Sequence, residues 1–441
     1  MLNNQPSGKA VFEVAFAFFT LGDCCLRPEF LHQLIVLFAE PLGQLLHQVL
    51  TGFDRLAVYF RCRDNRFTWI KPPAEYFCDR QEESKRLIRT VTQGGNLCLI
   101  SPRRMGKSKL VRFCYDKPEI SEAYYTFYID ILHTSSLREF TYAFGQSVFE
   151  TLRSQSQKML TMLTQGLKSL QAKFGFDPIN YTPTFSLELG DITTPEFTLK
   201  EIFQCLEQAD KPCIVTFDEF QQITKYPEKN VEALLRSHIQ HLGNVHFIFA
   251  GSERHLVSEI FQSSARPFYN STDMMELHPI ITQEYIPFVT KWFNTYQKTI
   301  CEDLILRTYR LFEGNTYYMQ KAFHEAFVNT PKEGECTESL MYNTIHSMLE
   351  DAADGYRQLL SRIPERQKEV LYAIAAEGQA SKIMSAAFIK GHSLTSASAV
   401  QAATRKLLEA DLLTVENEVY YVPDILLRIY LRALQGIETQ L

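Results

Sequence analysis

None of the ten cysteines in this 441-residue chain stands in a C-x-x-C pair. The spacing that a zinc ribbon or a dithiol redox site needs is therefore missing. Cys98, Cys114 and Cys213 lie inside apolar runs, where a free thiol behaves as a small hydrophobe. Together these features suggest reduced thiols and a cytoplasmic protein. Positive charge is not in excess either: 45 Lys and Arg face 51 Asp and Glu, for a net charge of −6. No global field draws the chain to nucleic acid or anionic lipid, so any such contact needs a local patch. A long apolar run is also lacking. The N-terminal stretches AVFEVAFAFFTLGDCC and FLHQLIVLFAEPLGQLLHQVL are interrupted by Glu13, His32, Glu40, Pro41 and His47. Neither reaches the roughly 20 apolar residues of a membrane helix. A secretory leader is poorly served, with Lys9 the one positive charge ahead of the apolar run, and Asp23 before Cys24 argues against a lipoprotein box. Residues 1–66 read as amphipathic helices packing on the body. Alternatively, translation begins later, although the next Met after Met1 is Met105. No chemistry is assigned to this stretch. Internal repeats and low-complexity runs are absent from the sequence.

What is present is material for two or three domains: 45% of residues are apolar and 22% charged. From Tyr76 the text becomes regular. YFCDRQEESKRLIRTVTQ predicts a turn and a helix, GGNLCLIS a short strand, KSKLVRFCYD a helix, YYTFYIDIL (124–132) a second strand and SLREFTYAFGQSVFETL a helix. Residues 153–195 are polar and mixed, with INYTPTFSLELGD an exposed β excursion. TLKEIFQCLEQADKP is a helix, CIVTFDEFQ a third strand, NVEALLRSHIQHL a helix, VHFIFAGS a fourth strand and MMELHPI a fifth. Strands alternating with helices predict a mostly parallel sheet covered on both faces. After about residue 282 the strands stop and a helical segment follows. From about Gly355, three short helices precede LTVENEVYYVPD, the order of a winged helix. The expected domains are an N-terminal extension (1–66), an α/β core (67–282), a helical lid (283–354) and a winged helix (355–441).

The stretch ISPRRMGKSKL (100–110) resembles a phosphate-binding loop, G-x-x-x-x-G-K-[ST]. Its run is Ser101, Pro102, Arg103, Arg104, Met105, Gly106, Lys107, Ser108; the last three match and Ser101 stands in the place of the first Gly. Such a loop wraps an anion in backbone N–H groups at a helix N-terminus. Gly106 allows close approach, Lys107 reaches the outer phosphates, the Ser108 hydroxyl ligates Mg²⁺, and Arg103 and Arg104 raise the local positive potential. Lys109 follows directly. The strand before and the helix after supply the required context. CIVTFDEF then delivers Asp218 to a strand end as a second Mg²⁺ contact, with Glu219 beside it as general base toward water. VHFIFAGSERH places Ser252 near the γ-phosphate if its strand lies between the other two.

These residues resemble the archaeal-type ATPase family, within the broad AAA+/STAND class of P-loop ATPases. The segments carrying the likeness are EYFCDRQEE, LCLISPRRMGKSKL, YIDIL, IVTFDEFQQI, LLRSHIQ, FIFAGS, PFY and GNTYYMQ, and it spans about residues 68–435. It implies a three-layer α/β/α P-loop NTPase with a five-stranded parallel sheet, a helical lid and a winged helix, which binds ATP and Mg²⁺ and hydrolyses ATP. The loop often reads [GS]-P-R-R-x-G-K-[ST] there, which makes Ser101 a familiar variant. By the same resemblance Arg80 sits where the nucleotide base approaches, Asp130 supports the Mg²⁺ site, and Gln221 and Arg236 match DEFQ and LLRSxIQ. Members often carry Gly-Arg after the P-x-Y at 267–269, where Asn270 and Ser271 stand here; Arg266 is then the substitute for an arginine finger. GNTYYMQ, with Thr316 in place of the usual Pro, opens a lid helix. No Asn-Lys-x-Asp guanine signature follows the fourth strand, and ATP over GTP rests on the resemblance.

The winged helix is the module on which partners turn. Its third helix (about 395–413) is expected to expose Gln401, Thr404, Arg405 and Lys406, but Glu409 and Asp411 follow, and the wing carries Glu416 and Glu418 without Lys or Arg. Phosphate contact dominates DNA affinity, so a protein contact or an autoinhibitory packing role is the stronger expectation and DNA the weaker. Three functions compete: an ATP hydrolase, a slow nucleotide-dependent switch or scaffold, and an ATP-loaded DNA-binding protein. Assembly with copies of itself is compatible with each. No membrane contact is expected.

Overall fold

A computed structural model describes residue 78, residues 80–155 and 192–437, and scattered positions with two short strands between 158 and 185. The expectations for residues 1–66 lie outside the described residues.

The first layer begins with α1 (Gln81–Thr92), which places Leu87 and Val91 on one buried stripe. Strand β1 (Leu97–Ile100) is buried along its whole length and leads into α2 (Lys107–Tyr115). Then come β2 (Tyr125–Asp130), α3 (Leu137–Gln155), the short strands β3 (Phe174–Phe176) and β4 (Pro183–Phe185), and α4 (Pro195–Glu207). Next are β5 (Cys213–Asp218), a 3₁₀ turn (Phe220–Lys225), α5 (Val231–Ile239), β6 (Val245–Gly251), α6 (Arg254–Gln262) and β7 (Asp273–Glu276). Five of these strands form one sheet in the order β2-β5-β6-β1-β7, and every neighbouring pair is parallel. Successive residues of a strand face opposite sides. Leu97, Leu99, Ile214 and Ile248 therefore pack with α1 and α2. Cys98, Ile100, Val215, Phe217, Phe247 and Phe249 pack with α3, α4 and α6. Burial on both faces is why these strands read as continuous apolar runs. The second face is aromatic: Phe217 and Phe247 stack with centroids 6.2 Å apart, and Phe220 lies 4.6 Å from Phe249. The polar stretch 153–195 contains an antiparallel β3–β4 pair.

The helical segment comprises α7 (Thr282–Thr295), β8 (Thr299–Ile300), α8 (Glu302–Leu311), α9 (Thr316–Asn329), β9 (Glu335–Cys336) and α10 (Glu338–Ser361). The expectation that strands stop after residue 282 needs one correction: β8 and β9 pair in parallel. Two residues each leave no periodicity to read. Position 354, where the sequence suggests a boundary, falls inside α10. That helix gives Met341, Ile345 and Met348 to the lid core and Ala353 and Leu360 to the next.

The last segment comprises α11 (Glu365–Glu377), β10 (Ala380–Ser381), α12 (Ala386–Gly391), α13 (Ala397–Glu409), β11 (Thr414–Glu416), β12 (Val419–Tyr421) and α14 (Ile425–Leu434). The two-residue turn Asn417-Glu418 has positive φ at both positions, as a tight hairpin requires. Helix α14 is missing from the sequence reading. Asp424 caps it, accepting from the Leu426 and Leu427 N–H groups, and residues 425–431 are all buried. Ile425, Leu426 and Ile429 enter the lid core while Leu427 and Leu431 enter the winged-helix core. Each such side chain contributes roughly 1.5–3 kcal/mol on burial, so α14 fastens lid and winged helix into one body. No helix among the described residues is long and apolar enough to cross a membrane.

Candidate functional site

The loop between β1 and α2 hangs from the neighbouring strand: the Ser101 N–H donates to the Gly251 carbonyl at 3.1 Å. Ser101 is fully buried, and its hydroxyl donates to the Pro102 carbonyl. Arg104 (φ 69°) and Gly106 (φ 90°) both adopt left-handed backbone. A side chain at Gly106 would be strained there, which explains the glycine that opens α2.

Lys107, the first residue of α2, buries its side chain and places Nζ 2.8 Å from Asp218 Oδ1 and 3.1 Å from Glu219 Oε1. The next residue, Ser108, donates through Oγ to Asp218 Oδ2 at 2.8 Å. The sheet order permits this meeting, because only β6 separates β1 from β5 and the loop has one strand to reach across. Burial opposes ionisation of Asp218. The Lys107 ammonium and the hydrogen bonds from Lys107, Tyr128 and Ser108 outweigh it and hold the carboxyl below its ordinary value. Glu219, in left-handed backbone (φ 58°, ψ 42°), is gripped from its other oxygen: Oε2 accepts from Gln221 Nε2 at 2.6 Å and Ser252 Oγ at 2.5 Å. The Gln221 Oε1 atom is buried without a partner. Strained backbone at a carboxylate clamped by three donors is typical of a functional position.

The remaining sequence candidates fall into place around this centre. Met105 is buried, and its carbonyl accepts from Arg80 Nη2 and from Thr316 Oγ1, each at 3.4 Å. Arg80 thus braces the loop backbone, with Glu83 holding its other nitrogen at 2.9 Å. Lys109 Nζ donates to Gln320 of α9 at 3.2 Å. Pro102, Arg103 and Arg104 are exposed, but the two guanidiniums do not stand free to raise the potential of the loop. Arg104 pairs with Asp424 at 2.9 Å and Arg103 lies 3.5 Å from Asp411, both carboxylates of the winged-helix segment. Left-handed backbone at Arg104 directs its side chain toward the lid, over the rings of Tyr317 and Tyr318.

Asp130 lies in register with Asp218 and accepts from the Leu132 N–H at 2.9 Å. Burial raises its pKa, the Leu132 N–H partly offsets this, and the Asp218 and Glu219 carboxylates raise it further. Arg266 is held by Glu232 at 3.0 Å and Glu259 at 2.6 Å. Arg236, on α5, is half-buried.

One residue escaped the sequence reading. The Tyr128 hydroxyl donates to Asp218 Oδ2, the same oxygen that Ser108 meets, and the Arg112 guanidinium sits over its ring at 4.4 Å. Nothing in YYTFYID distinguishes this tyrosine from its neighbours. The oxygen donors of Ser108 and Asp218 suit a hard divalent ion such as Mg²⁺.

Comparison with known proteins agrees with this architecture. Residues 77–322, more than half the chain, match the family model "ATPase domain predominantly from Archaea". Residues 354–433 match the model "Probable winged helix domain". No curated protein matches. A solved Walker-type ATPase of Pyrococcus abyssi is similar with a TM-score of 0.56 and 20% identity, over 81% of this chain and 97% of that one. The ORC2 protein of Aeropyrum pernix, solved as ADPNP-ADP complexes, is similar with a TM-score of 0.50 and 12% identity, over 85% and 98%. At these identities the likeness speaks for the fold: a P-loop NTPase sheet with a helical region and a winged helix. The chain belongs to the family of ATPase domains found predominantly in Archaea, and its core is a nucleotide-binding ATPase domain.

Proposed function

We propose that the protein is a Mg²⁺-dependent ATP hydrolase of the AAA+/STAND type, with a core over 67–282, a lid over 283–354 and a regulatory winged helix over 355–441. The observation that carries this reading is the hydrogen-bonded chain that joins Ser108, Asp218, Lys107, Glu219 and Ser252. Backbone N–H groups from Arg103 to Ser108 grip the triphosphate, and the ammonium of Lys107 turns from the two carboxylates to its outer phosphates. Ser108 and Asp218 are the residues that would hold Mg²⁺, which when bound offsets phosphate charge. Glu219, released by Lys107, accepts a proton from the attacking water, and Ser252 and Gln221 fix its orientation. Arg80 supports the loop from the side of the base, and Lys109 ties it to the lid.

The second reading, a switch that turns over slowly, is favoured by Arg266. Its guanidinium is shared between Glu232 and Glu259, and a finger contributes on the order of 10³–10⁵ in rate. DNA binding draws less support, because Thr404 is buried rather than exposed, and Arg405 and Lys406 both pair with Glu409. A cytoplasmic location, an unidentified protein partner and self-assembly belong to the same proposal.

Single-turnover hydrolysis by Glu219→Gln tests the mechanism. The variant should bind Mg·ATP and cleave it about 10²–10⁴-fold more slowly. Cleavage at the wild-type rate would remove Glu219 as the base. Slow cleavage by the wild type itself would favour the switch.

A further inference from the structure

Four groups of buried apolar side chains divide the described residues. The two faces of the sheet are filled from the core alone. The lid core and the winged-helix core are joined by α10 and α14. Between the sheet and this second body the bonds are polar, and they gather on the nucleotide loop. The Tyr317 N–H donates to the Arg104 carbonyl at 3.1 Å, Thr316 meets the Met105 carbonyl, Lys109 meets Gln320, Arg103 faces Asp411, and Arg104 pairs with Asp424. Asp424 is the hub of the set. Its Oδ2 takes Arg104, and its Oδ1 takes the Tyr318 hydroxyl at 2.6 Å and the first N–H groups of α14 at 3.1 Å. Loop, lid helix and winged helix therefore meet at one carboxylate.

We propose that Arg104 and Asp424, assisted by Arg103 and Asp411, form a latch that closes the lid–winged-helix body onto the nucleotide loop and that a bound polyphosphate opens it. The inference rests on the nucleotide reading above and names the regulation of that site. Its physical basis is competition. The two carboxylates place negative charge beside the loop whose amides are to receive an anion, and they occupy the two guanidiniums that the loop itself carries. A polyphosphate on the loop repels the carboxylates and offers the arginines a charge-assisted, bidentate partner. Because the pairs are partly exposed, each is weak, so the latch yields to a ligand rather than blocking it. Because coupling is reciprocal, removing the latch must tighten nucleotide binding by the same factor that nucleotide loosens the latch.

The test is the affinity of a fluorescent N-methylanthraniloyl ADP for the full chain and three variants. Asp424→Asn keeps an oxygen to cap α14 and removes the charge. It should bind about 5- to 10-fold more tightly than wild type, within the usual range of such couplings, and the gain should shrink as salt rises. Asp411→Asn, which caps nothing, should move affinity the same way by less, and serves if Asp424→Asn does not fold. Lys107→Ala separates the latch from the reading beneath it. If Lys107→Ala loses binding while both carboxylate variants bind as wild type or more weakly, the latch is wrong and the nucleotide site stands. If Lys107→Ala binds as wild type, the site itself is wrong and the latch goes with it.

Discussion

Lys107 and Asp218 form a buried ion pair whose members are 7% and 6% exposed, and removing one partner leaves the other charge uncompensated. Lys107→Ala should therefore cost the unliganded protein about 3 kcal/mol at neutral pH, measured by denaturant unfolding, over and above any loss of nucleotide. The sign with pH follows from the depressed pKa of Asp218. A depressed folded-state pKa stabilises above the ordinary aspartate value and is lost as pH falls through the folded value. The gap between wild type and variant should thus close in acid; a gap that widens would contradict the pairing. Tyr128 acts on the same carboxylate from the other side. Tyr128→Phe should leave the fold intact and weaken the Mg²⁺ dependence of nucleotide binding about 10-fold, as loss of a partner that orients a metal ligand does. A Mg²⁺ titration of nucleotide binding reads this directly, and an unchanged midpoint would make Tyr128 a packing residue only.

At the scale of elements, the end of β6 performs two tasks. Its Gly251 carbonyl carries Ser101, and its Cα faces the Gln221 side chain. A Cβ at Gly251 would lie 2.4 Å from Val257 Cγ2 and 2.5 Å from Gln221 Oε1, so neither α6 nor the 3₁₀ turn after β5 accommodates it without shifting. Gly251→Ala should cost about 1–3 kcal/mol and, by moving Gln221 off Glu219, slow hydrolysis more than it weakens Mg·ATP binding. Equal losses in both would show that the glycine serves stability alone. Elements of this kind were the legible part of the sequence. The central strands are continuous apolar runs because both faces are buried, and the loop announces itself between one of them and a helix. The short β8–β9 pair gave no signal, since two residues cannot display a period. Helix α14 was legible but unread: ILLRIYLRAL sets Arg428 and Arg432 one turn apart in an otherwise apolar segment, the period of an amphipathic helix, and the sequence reading ended at the hairpin before it.

At the scale of the whole molecule, the contacts that couple the parts lie beyond any local pattern. Arg104 and Asp424 are 320 positions apart, and neither periodicity nor spacing links residues at that range. Sequence reasoning could place both arginines in a phosphate loop and expect them to raise its positive potential, but not the Asp411 and Asp424 carboxylates that the fold sets against them. The proposed catalytic group was more accessible because its members sit at or shortly beyond strand ends, where an α/β sheet gathers them. What the sequence could not supply was the hydrogen bonding within that group. All of this depends on a triphosphate resting on the amides around Gly106. The structure of Glu219→Gln with Mg·ATP bound tests that most directly. The account predicts the outer phosphates within hydrogen-bonding distance of Lys107 Nζ and the N–H groups of Gly106 and Lys107, with Ser108 and Asp218 turned to the metal. Nucleotide bound elsewhere, with Lys107 still paired to Asp218, would contradict it.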